Sequence, residues 1–449
     1  MLKLFYSVHR LVHEEYLTVI SSNSEQPQLN EVHYWLIRIK RLHSTRARMK
    51  EEIPYFIKHG EGVIMVRIGI VGLGNMGTGH ARYLITGGVK GAELTAVSDV
   101  RPERLAEVKE EWGDHIQGFL SPQELFESGA VDGVIICTPH YDHPEQAIAA
   151  LNAGLHVLIE KPAGVYTRAV REMNEAAAQS GKVFSIMYNQ RTNPLYAKLK
   201  ELIASGELGE VRRTNWIITD WYRSQSYYNS GGWRATWAGE GGGVLINQDP
   251  HQLDLWQWTT GLMPKRVRAF CQFGKHRDIE VENDVTAYVE YENGATGVFV
   301  TSTFEAPGTN RFEISGDRGK IVIEDNKLTF HRLRVSETEF NNTFTGGFGS
   351  PECWKFDIPI SNGGGSHMEI TQNWADAINK GTALIAPGEE GIKGLMISNA
   401  MLLSTWTDSW VDLPIDEELF YNKLQEQIAK SESKKNANEY HTLDVTGTH

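Results

Sequence analysis

The stretch VRIGIVGLGNMG, residues 66–77, decides the fold of this chain. A short apolar run typical of a buried strand leads into three glycines spaced G-x-G-x-x-G. Gly72 permits a tight turn, Gly74 lets the backbone approach a diphosphate, and Gly77 lets a following helix pack on the strand. The N-terminus of that helix offers N–H groups to phosphate oxygens. The candidate cofactor-binding residues of this stretch are Gly72, Gly74, Asn75, Met76 and Gly77.

From this stretch to about residue 187, short apolar strands alternate with helical segments. The segments AELTAVSDV, VDGVIICTP, HVLIEKP and VFSIMYN read as strands, and helix-forming sequence separates them. Such alternation predicts a parallel, doubly wound α/β sheet. We expect a nucleotide-binding domain at 65–187.

After residue 190 the strands become longer and alternate apolar with polar residues. The turn sequences ENG, within 284–304, and GDRG, within 311–325, predict hairpins. The segments 366–381 and 391–409 read as helices. We therefore expect a second domain, at 188–432, of the α+β class with a mainly antiparallel sheet.

The two ends of the chain differ from the rest. The final residues, 433–449, are polar and predict a disordered tail. Residues 1–64 show no sustained periodicity, and Gly60-Glu61-Gly62 would be encoded by purine-rich codons just before Met65, as in a ribosome-binding site. We expect an N-terminal extension that is dispensable or arises from a mis-assigned start. A genuine partner-binding arm is the alternative.

Composition narrows the class of protein. The formal net charge of −13 argues against nucleic acid or an anionic membrane as the main partner. No apolar run approaches the roughly 18 residues needed to cross a bilayer. The three cysteines are far apart, which fits a reducing, cytoplasmic location and excludes a cysteine-rich zinc site. We expect no metal site.

Polar residues follow the predicted strands at the edge where parallel sheets bind ligands. Asp99 ends the second strand, where a carboxylate accepts from ribose hydroxyls and repels a 2′-phosphate, so NAD is the expected cofactor. Arg101 is a second expected cofactor contact, and its positive charge leaves NADP as an alternative cofactor. Capping of the next helix is the alternative role for Asp99. The expected neighbours of the nicotinamide half of the cofactor are Thr138, Pro139, and His143, which is as well suited to capping its own turn.

Glu160 and Lys161, in EKPAG at 160–164, stand where a strand ends at this same edge. A lysine beside a nicotinamide polarises a substrate hydroxyl and stabilises an alkoxide. The alternative is a solvated surface ion pair. The place of Lys161 at the carboxyl end of a strand, where parallel sheets bind ligands, favours the catalytic role over the surface ion pair.

The segment GGGVLINQDPHQLD, residues 241–254, carries a second candidate group, His251. Pro250 places a helix start near 247–249, with Asn247 or Asp249 as the N-cap and Asn247 on the face of His251. The positive end of the helix dipole favours neutral histidine, the form a general base needs. A packed core histidine is the alternative. Upstream, Trp233 and Arg234 lie in a Trp-, Tyr- and Arg-rich segment suited to stacking on a sugar.

GLGNMG, CTPHYDH, EKP, MYNQR and GGGVLINQDPHQLD together resemble the glucose–fructose oxidoreductase and inositol dehydrogenase family, Gfo/Idh/MocA, over about 66–415. The resemblance implies a Rossmann domain followed by an α+β domain with a large open sheet, often used to form dimers or tetramers. It also implies NAD(P)-dependent oxidation or reduction of a sugar, glycoside or cyclitol. It implies that Lys161 is catalytic and that Asn189 lies near cofactor and substrate.

The chain departs from the usual pattern of that family at Asn247, where relatives carry an aspartate four residues before the histidine. An acid stands instead at Asp249, a candidate substrate contact, and Asn247 is left to hold a substrate hydroxyl without a charge. The departure leaves open a redox-neutral, NAD-dependent cleavage of glycosides. A non-catalytic NAD-binding sensor or scaffold is a further alternative, which Lys161 and His251 argue against.

Overall fold

The computed structural model describes residues 65–431 of the chain. The predicted extension at 1–64 and the predicted tail at 433–449 lie outside the described residues. Within the described range, no helix is both long enough and apolar enough to cross a membrane.

Six parallel strands form the first sheet, in the order β3-β2-β1-β4-β5-β6. The strands are β1 Val66–Val71, β2 Ala92–Ser98, β3 Gln117–Phe119, β4 Gly133–Ile136, β5 His156–Ile159 and β6 Phe184–Ile186. The connecting helices are α1 Asn75–Ile85, α2 Pro102–Trp112, α3 Pro122–Glu127, α4 Asp142–Asn152 and α5 Thr167–Ser180. The strand order reverses between β1 and β4, which opens a ligand crevice at their carboxyl ends. The predicted doubly wound sheet is confirmed.

Two elements of this sheet layer escaped the sequence analysis, strand β3 and helix α3. They have three and six residues. Segments of that length show no measurable periodicity, because a single turn of helix or one strand repeat carries no pattern.

Nine strands form the second sheet, in the order β14-β13-β12-β11-β7-β10-β9-β8-β15. The strands are β7 Val211–Ile218, β8 Pro264–Phe273, β9 Glu282–Tyr291, β10 Thr296–Ser302, β11 Asn310–Gly316, β12 Gly319–Glu324, β13 Lys327–Leu333, β14 Cys353–Ile358 and β15 Val411–Asp412. The ENG turn joins the antiparallel pair β9–β10, and GDRG joins β11–β12, as predicted. All neighbours are antiparallel except β7 and β10, which run parallel.

Eight further helices follow β6 in the described chain. They are α6 Pro194–Ala204, α7 Gln225–Tyr228, α8 Val244–Asn247, α9 Pro250–Thr260, α10 Glu337–Thr343, α11 His367–Lys380, α12 Gly391–Thr407 and α13 Glu417–Ile428, with 3₁₀ turns at Asn189–Thr192 and Gly388–Glu390. Helix α9 packs against α6 and α12, and its Trp256 stacks on Phe299 of β10. Every residue of α9 except Trp258 is buried. Its polar side chains are therefore held inside the protein, where each needs a partner.

Candidate active site

The glycine loop at the end of β1 has the geometry of a diphosphate cradle. Gly72 has φ +89°, a backbone conformation that favours glycine. A Cβ on Gly77 would lie 1.9 Å from the carbonyl oxygen of Gly72, so only glycine allows α1 to start here. A Cβ on Gly74 would meet nothing within 4 Å, and no side chain caps the N-terminus of α1. The loop therefore offers open space and free N–H groups to an anion, which fits the diphosphate of NAD.

Asp99 follows β2 beside this loop and is buried. Its Oδ2 accepts from the Leu73 N–H at 2.9 Å, and its carboxylate forms a two-pronged pair with the Arg101 guanidinium. Burial alone would raise the pKa of Asp99, but the bonds from Arg101 and Leu73 outweigh it and lower that pKa. The N-cap of α2 is Arg101, with no side-chain cap bond, so Asp99 lies outside the helix. Asp99 is thus an ionised carboxylate at the position expected for a ribose contact.

Of the three residues expected beside the nicotinamide, two are accessible in the turn after β4 and one is buried. Thr138 is half-buried and Pro139 is exposed, so both are accessible to a ligand. His143 is buried, with Nδ1 at 2.7 Å from the Pro162 carbonyl oxygen and Nε2 at 2.8 Å from that of Thr138. These contacts favour the alternative role of His143 within its own turn, and its contact with the cofactor stays a prediction. It links the two turns that follow β4 and β5.

Glu160 is buried within a chain of hydrogen bonds rather than paired with the ammonium of its neighbour. Its Oε1 contacts His80 Nε2 at 2.7 Å, His80 Nδ1 contacts the Tyr83 hydroxyl, and that hydroxyl contacts Thr371 at 2.7 Å. Burial would raise the pKa of Glu160, but the bond to His80 prevails and lowers that pKa to about 2. Glu160 is therefore a fixed negative charge behind Lys161.

Lys161 reaches across to the second domain. Its Nζ donates to the backbone carbonyl of Asn247 at 2.9 Å, which rules out a solvated surface pair with Glu160. Burial lowers the pKa of Lys161 most. The carboxylates Glu160 and Glu240 raise it, while Arg234 and Arg223 lower it. The ammonium thus stands in a partly buried site with charges of both signs around it.

His251 lies in the first turn of α9, close enough to Lys161 for that charge to act on it. Burial, and then the charge of Lys161, hold the pKa of His251 well below its ordinary value. Nδ1 has no hydrogen-bond partner among residues 65–431. A neutral, buried imidazole with an unpartnered nitrogen beside an ammonium can accept a proton from a hydroxyl held between them.

The sequence predicted that Asn247 and His251 share one helix, but the structure places them in two. Asn247 ends the short helix α8, Asp249 occupies the N-cap of α9 without a side-chain cap bond, and Pro250 begins α9. The Asn247 Nδ2 donates to the Glu240 carboxylate at 2.5 Å and to the Tyr227 hydroxyl at 3.1 Å. Because Glu240 and Tyr227 take the amide N–H groups, the amide oxygen of Asn247 is left as an acceptor.

Asp249 is fully buried, and neither of its oxygens has a hydrogen-bond partner in the described structure. Burial raises the pKa of Asp249 well above its usual value, although the Thr301 hydroxyl lowers it in part, and the neighbouring carboxylates Asp220 and Glu282 raise it further. Contact between Asp249 and the substrate stays a prediction.

Three other predicted site residues lie around the same crevice. The Asn189 Nδ2 donates to the Gly365 carbonyl at 3.4 Å, and its Oδ1 is buried without a partner. Trp233 packs edge-on against His140, with ring centres 5.8 Å apart, and the Arg234 guanidinium lies 4.8 Å from the Trp233 ring centre. The Arg234 Nη1 donates to the Tyr227 hydroxyl at 2.8 Å.

Sequence reasoning missed four residues of this site, namely His80, Tyr227, Glu240 and His367. His367 starts α11, with its ring centre 5.7 Å from that of His80. His80 and His367 stand far along the chain from Glu160, the residue near which they lie, so spacing carried no signal for them. Only Glu240 had a detectable clue, because a lone acid ending an aromatic segment directly before GGG is unusual in composition.

Comparison with known proteins agrees with this geometry. The model described as "Oxidoreductase family, NAD-binding Rossmann fold" matches residues 66–188, and that described as "GFO/IDH/MocA C-terminal domain" matches 196–322. The fold and the site therefore define an NAD-binding oxidoreductase. The chain belongs to the GFO/IDH/MocA family, and the resemblance in sequence is confirmed.

Individual relatives are distant but extend over most of the chain. It is 27% identical to myo-inositol 2-dehydrogenase of Thermotoga maritima over 75% of this chain and 95% of that protein. It is 25% identical to levoglucosan dehydrogenase of Pseudarthrobacter phenanthrenivorans over 71% and 89%. The WlbA dehydrogenase from Bordetella pertussis, solved in complex with NADH and UDP-GlcNAcA, matches with a TM-score of 0.66 and 25% identity over 78% of this chain and 100% of that one.

Proposed function

We propose that this oxidoreductase acts on a hydroxyl or keto group of a sugar, glycoside or cyclitol, with Lys161 and His251 as its catalytic pair. One observation carries the proposal. The ammonium of Lys161, fixed on the backbone of Asn247, stands beside the neutral, buried imidazole of His251. The named relatives, an inositol and a levoglucosan dehydrogenase, act on substrates of this class.

In the direction of oxidation, Lys161 donates a hydrogen bond to the substrate hydroxyl and stabilises the negative charge that develops on its oxygen. His251 accepts the hydroxyl proton, because its neutral form is favoured by burial and by the nearby ammonium. NAD, when bound, supplies the nicotinamide carbon that takes the hydride. Asn247 is a further catalytic candidate, since its free amide oxygen can orient the same hydroxyl.

The cofactor contacts remain a proposal at the level of single residues. The diphosphate is assigned to Gly72, Gly74, Asn75, Met76 and Gly77, and the nicotinamide side to Thr138, Pro139 and Asn189. The ionised Asp99, paired with Arg101, favours NAD over NADP because it repels a 2′-phosphate. Trp233 and Arg234 are assigned to the substrate.

We further propose a cytoplasmic homo-oligomer, with a nucleotide domain at 65–187 and a substrate domain at 188–432. The face of the second sheet turned away from the helices supports a subunit contact. Ile217, Val300, Thr286 and Phe270 form one row across four strands of that face, and Phe270 and Ile217 are exposed. An exposed apolar row on a wide sheet is typical of a subunit contact.

A substrate panel tests the proposed activity. The full chain is incubated with NAD and one candidate substrate at a time, taken from the inositols, aldoses and glycosides. The absorbance of NADH is followed in each reaction. We expect reduction of NAD with at least one member of the panel. Protein that binds NAD, shown by calorimetry, yet reduces it with no sugar or cyclitol would overturn the assignment.

A further inference from the structure

Two arginines flank one tyrosine at the substrate side of the crevice. The guanidinium carbons of Arg223 and Arg234 lie 5.1 Å and 4.6 Å from the ring centre of Tyr227. Both act on the pKa of Lys161 and lower it, which places them near the reacting end of the crevice. In each, Nε is buried and has no hydrogen-bond partner within residues 65–431.

The charges around these arginines do not balance. Arg234 faces the buried carboxylate of Glu240, with 3.6 Å between Nη1 and Oε1, and Glu240 and Glu160 lie near Lys161. No carboxylate in the described part of the chain forms a salt bridge with Arg223, whose Nη1 donates to the Tyr222 carbonyl at 3.0 Å. Asp249 is near Arg223, but burial favours its neutral form. Around the Lys161 ammonium, the two arginines and Lys161 itself therefore outnumber the two carboxylates, Glu160 and Glu240, by one charge.

We propose that the substrate carries an anionic group, a carboxylate on the sugar or cyclitol, and that Arg223 and Arg234 bind it. The proposal rests on the proposed function and narrows its substrate class. A guanidinium presents Nε and Nη donors as a planar fork that matches the two oxygens of a carboxylate. The two unpartnered Nε groups are buried donors that such an oxygen would satisfy.

Matched pairs of substrates test this class. We would measure kcat/KM with NAD for D-glucose against D-glucuronate and for D-galactose against D-galacturonate, with glucose 6-phosphate to distinguish phosphate from carboxylate. We expect the acid of at least one pair to exceed its neutral partner by about tenfold to a hundredfold, the range for charged hydrogen bonds in a partly buried site. Higher ionic strength should reduce the ratio.

Substitution of Arg223 assigns the effect to a residue. Arg223→Met keeps much of the apolar stem and should lower kcat/KM for the acid at least tenfold more than for its neutral partner, mainly through KM. Arg213→Met, on the exposed side of β7, is the matched control and should leave the ratio unchanged. If Arg223→Met does not fold, Arg223→Lys decides: it should keep a reduced preference for the acid.

The outcomes separate this inference from the proposed function. Oxidation of neutral sugars with no preference for their acids would overturn the anionic substrate and leave the sugar dehydrogenase intact. A preference for glucose 6-phosphate alone would overturn the carboxylate. Equal ratios in the wild type and in the Arg223 variant that folds would show that the arginines only stack on Tyr227.

Discussion

Lys161 is anchored on a main-chain carbonyl, so its position does not depend on the side chain at residue 247. Loss of its charge should therefore affect chemistry more than folding. Lys161→Met should lower kcat by about 10²–10⁴ and leave NAD affinity nearly unchanged, as should His251→Asn. The double variant should be little worse than either one, since both groups serve one hydroxyl. Rapid-reaction kinetics and NAD titration check this, and wild-type kcat in both variants would remove the pair from catalysis.

Glu240 supplies a carboxylate near Lys161 although residue 247 is an asparagine. Its charge raises the pKa of Lys161 against the effect of burial. Glu240→Gln should lower that pKa further, and the alkaline limb of kcat should move to lower pH because less ammonium remains.

The double variant Glu240→Gln/Asn247→Asp returns a carboxylate to the same cluster. It should move the alkaline limb back towards its wild-type position. If Glu240 acts on the loop through its bond from the Ala235 N–H and not on Lys161, the alkaline limb of kcat in Glu240→Gln would stay at its wild-type pH. The Asn247→Asp change would then produce no shift back.

Asp99 is the residue expected to select the cofactor. Asp99→Ala removes the charge that repels a 2′-phosphate and releases the Arg101 guanidinium from its pair. The ratio of kcat/KM for NAD over NADP should fall at least tenfold. Asp114→Ala, an exposed acid paired with Lys109, is the control and should not change the ratio. An unaltered ratio in Asp99→Ala would place cofactor selection elsewhere.

At the scale of elements, strands and helices with a long periodic pattern were predictable from sequence. Both predicted hairpins appear. The helices predicted at 366–381 and 391–409 appear as α11 and α12, with ends displaced by no more than two residues. The start of the short helix α8 was not predictable, because it depends on Glu282 of β9, whose carboxylate accepts from the Gly243 and Leu245 N–H groups. A partner distant in sequence leaves no local signature.

Helix α1 offers a matched pair of glycines. Gly77→Ala would bring a Cβ against the Gly72 carbonyl at 1.9 Å, so α1 must shift away from β1. We expect a lower melting temperature and a loss of NAD binding by tenfold or more. Gly79→Ala lies in the same helix with open space around it and should stabilise the protein by up to about 1 kcal/mol. Calorimetry of both variants tests this, and equal melting temperatures would contradict the close packing.

At the scale of the whole molecule, Arg191 joins the 3₁₀ turn after β6 to the helices of the second domain. Its guanidinium pairs with Asp254 of α9 at 2.6 Å and 2.8 Å and with Glu390 at 2.5 Å, and it is buried. Within the segment HQLD, residues 251–254, the His251 side chain therefore lies at the crevice, whereas Asp254 binds Arg191. Sequence showed both residues but not their different partners.

Removing one partner should leave a buried charge unpaired. Asp254→Ala should reduce the free energy of unfolding by about 3–5 kcal/mol. Glu201→Ala, which breaks an exposed pair with Lys198, should change it by less than about 0.5 kcal/mol. Denaturant unfolding compares the two, and a cost for Asp254→Ala no greater than that of the control would mean that this buried cluster does not stabilise the second domain.

The parallel pair in the second sheet has a consequence for how the chain is made. Strand β7 lies between β10 and β11, and both partners are synthesised long after it. During translation, β7 leaves the ribosome with two open edges and keeps them open until residues 296–316 have followed. Exposed strand edges invite pairing with other chains. The growing polypeptide should therefore depend most on chaperones in this interval, which ribosome-bound chains stalled before and after residue 316 would reveal by their protease sensitivity.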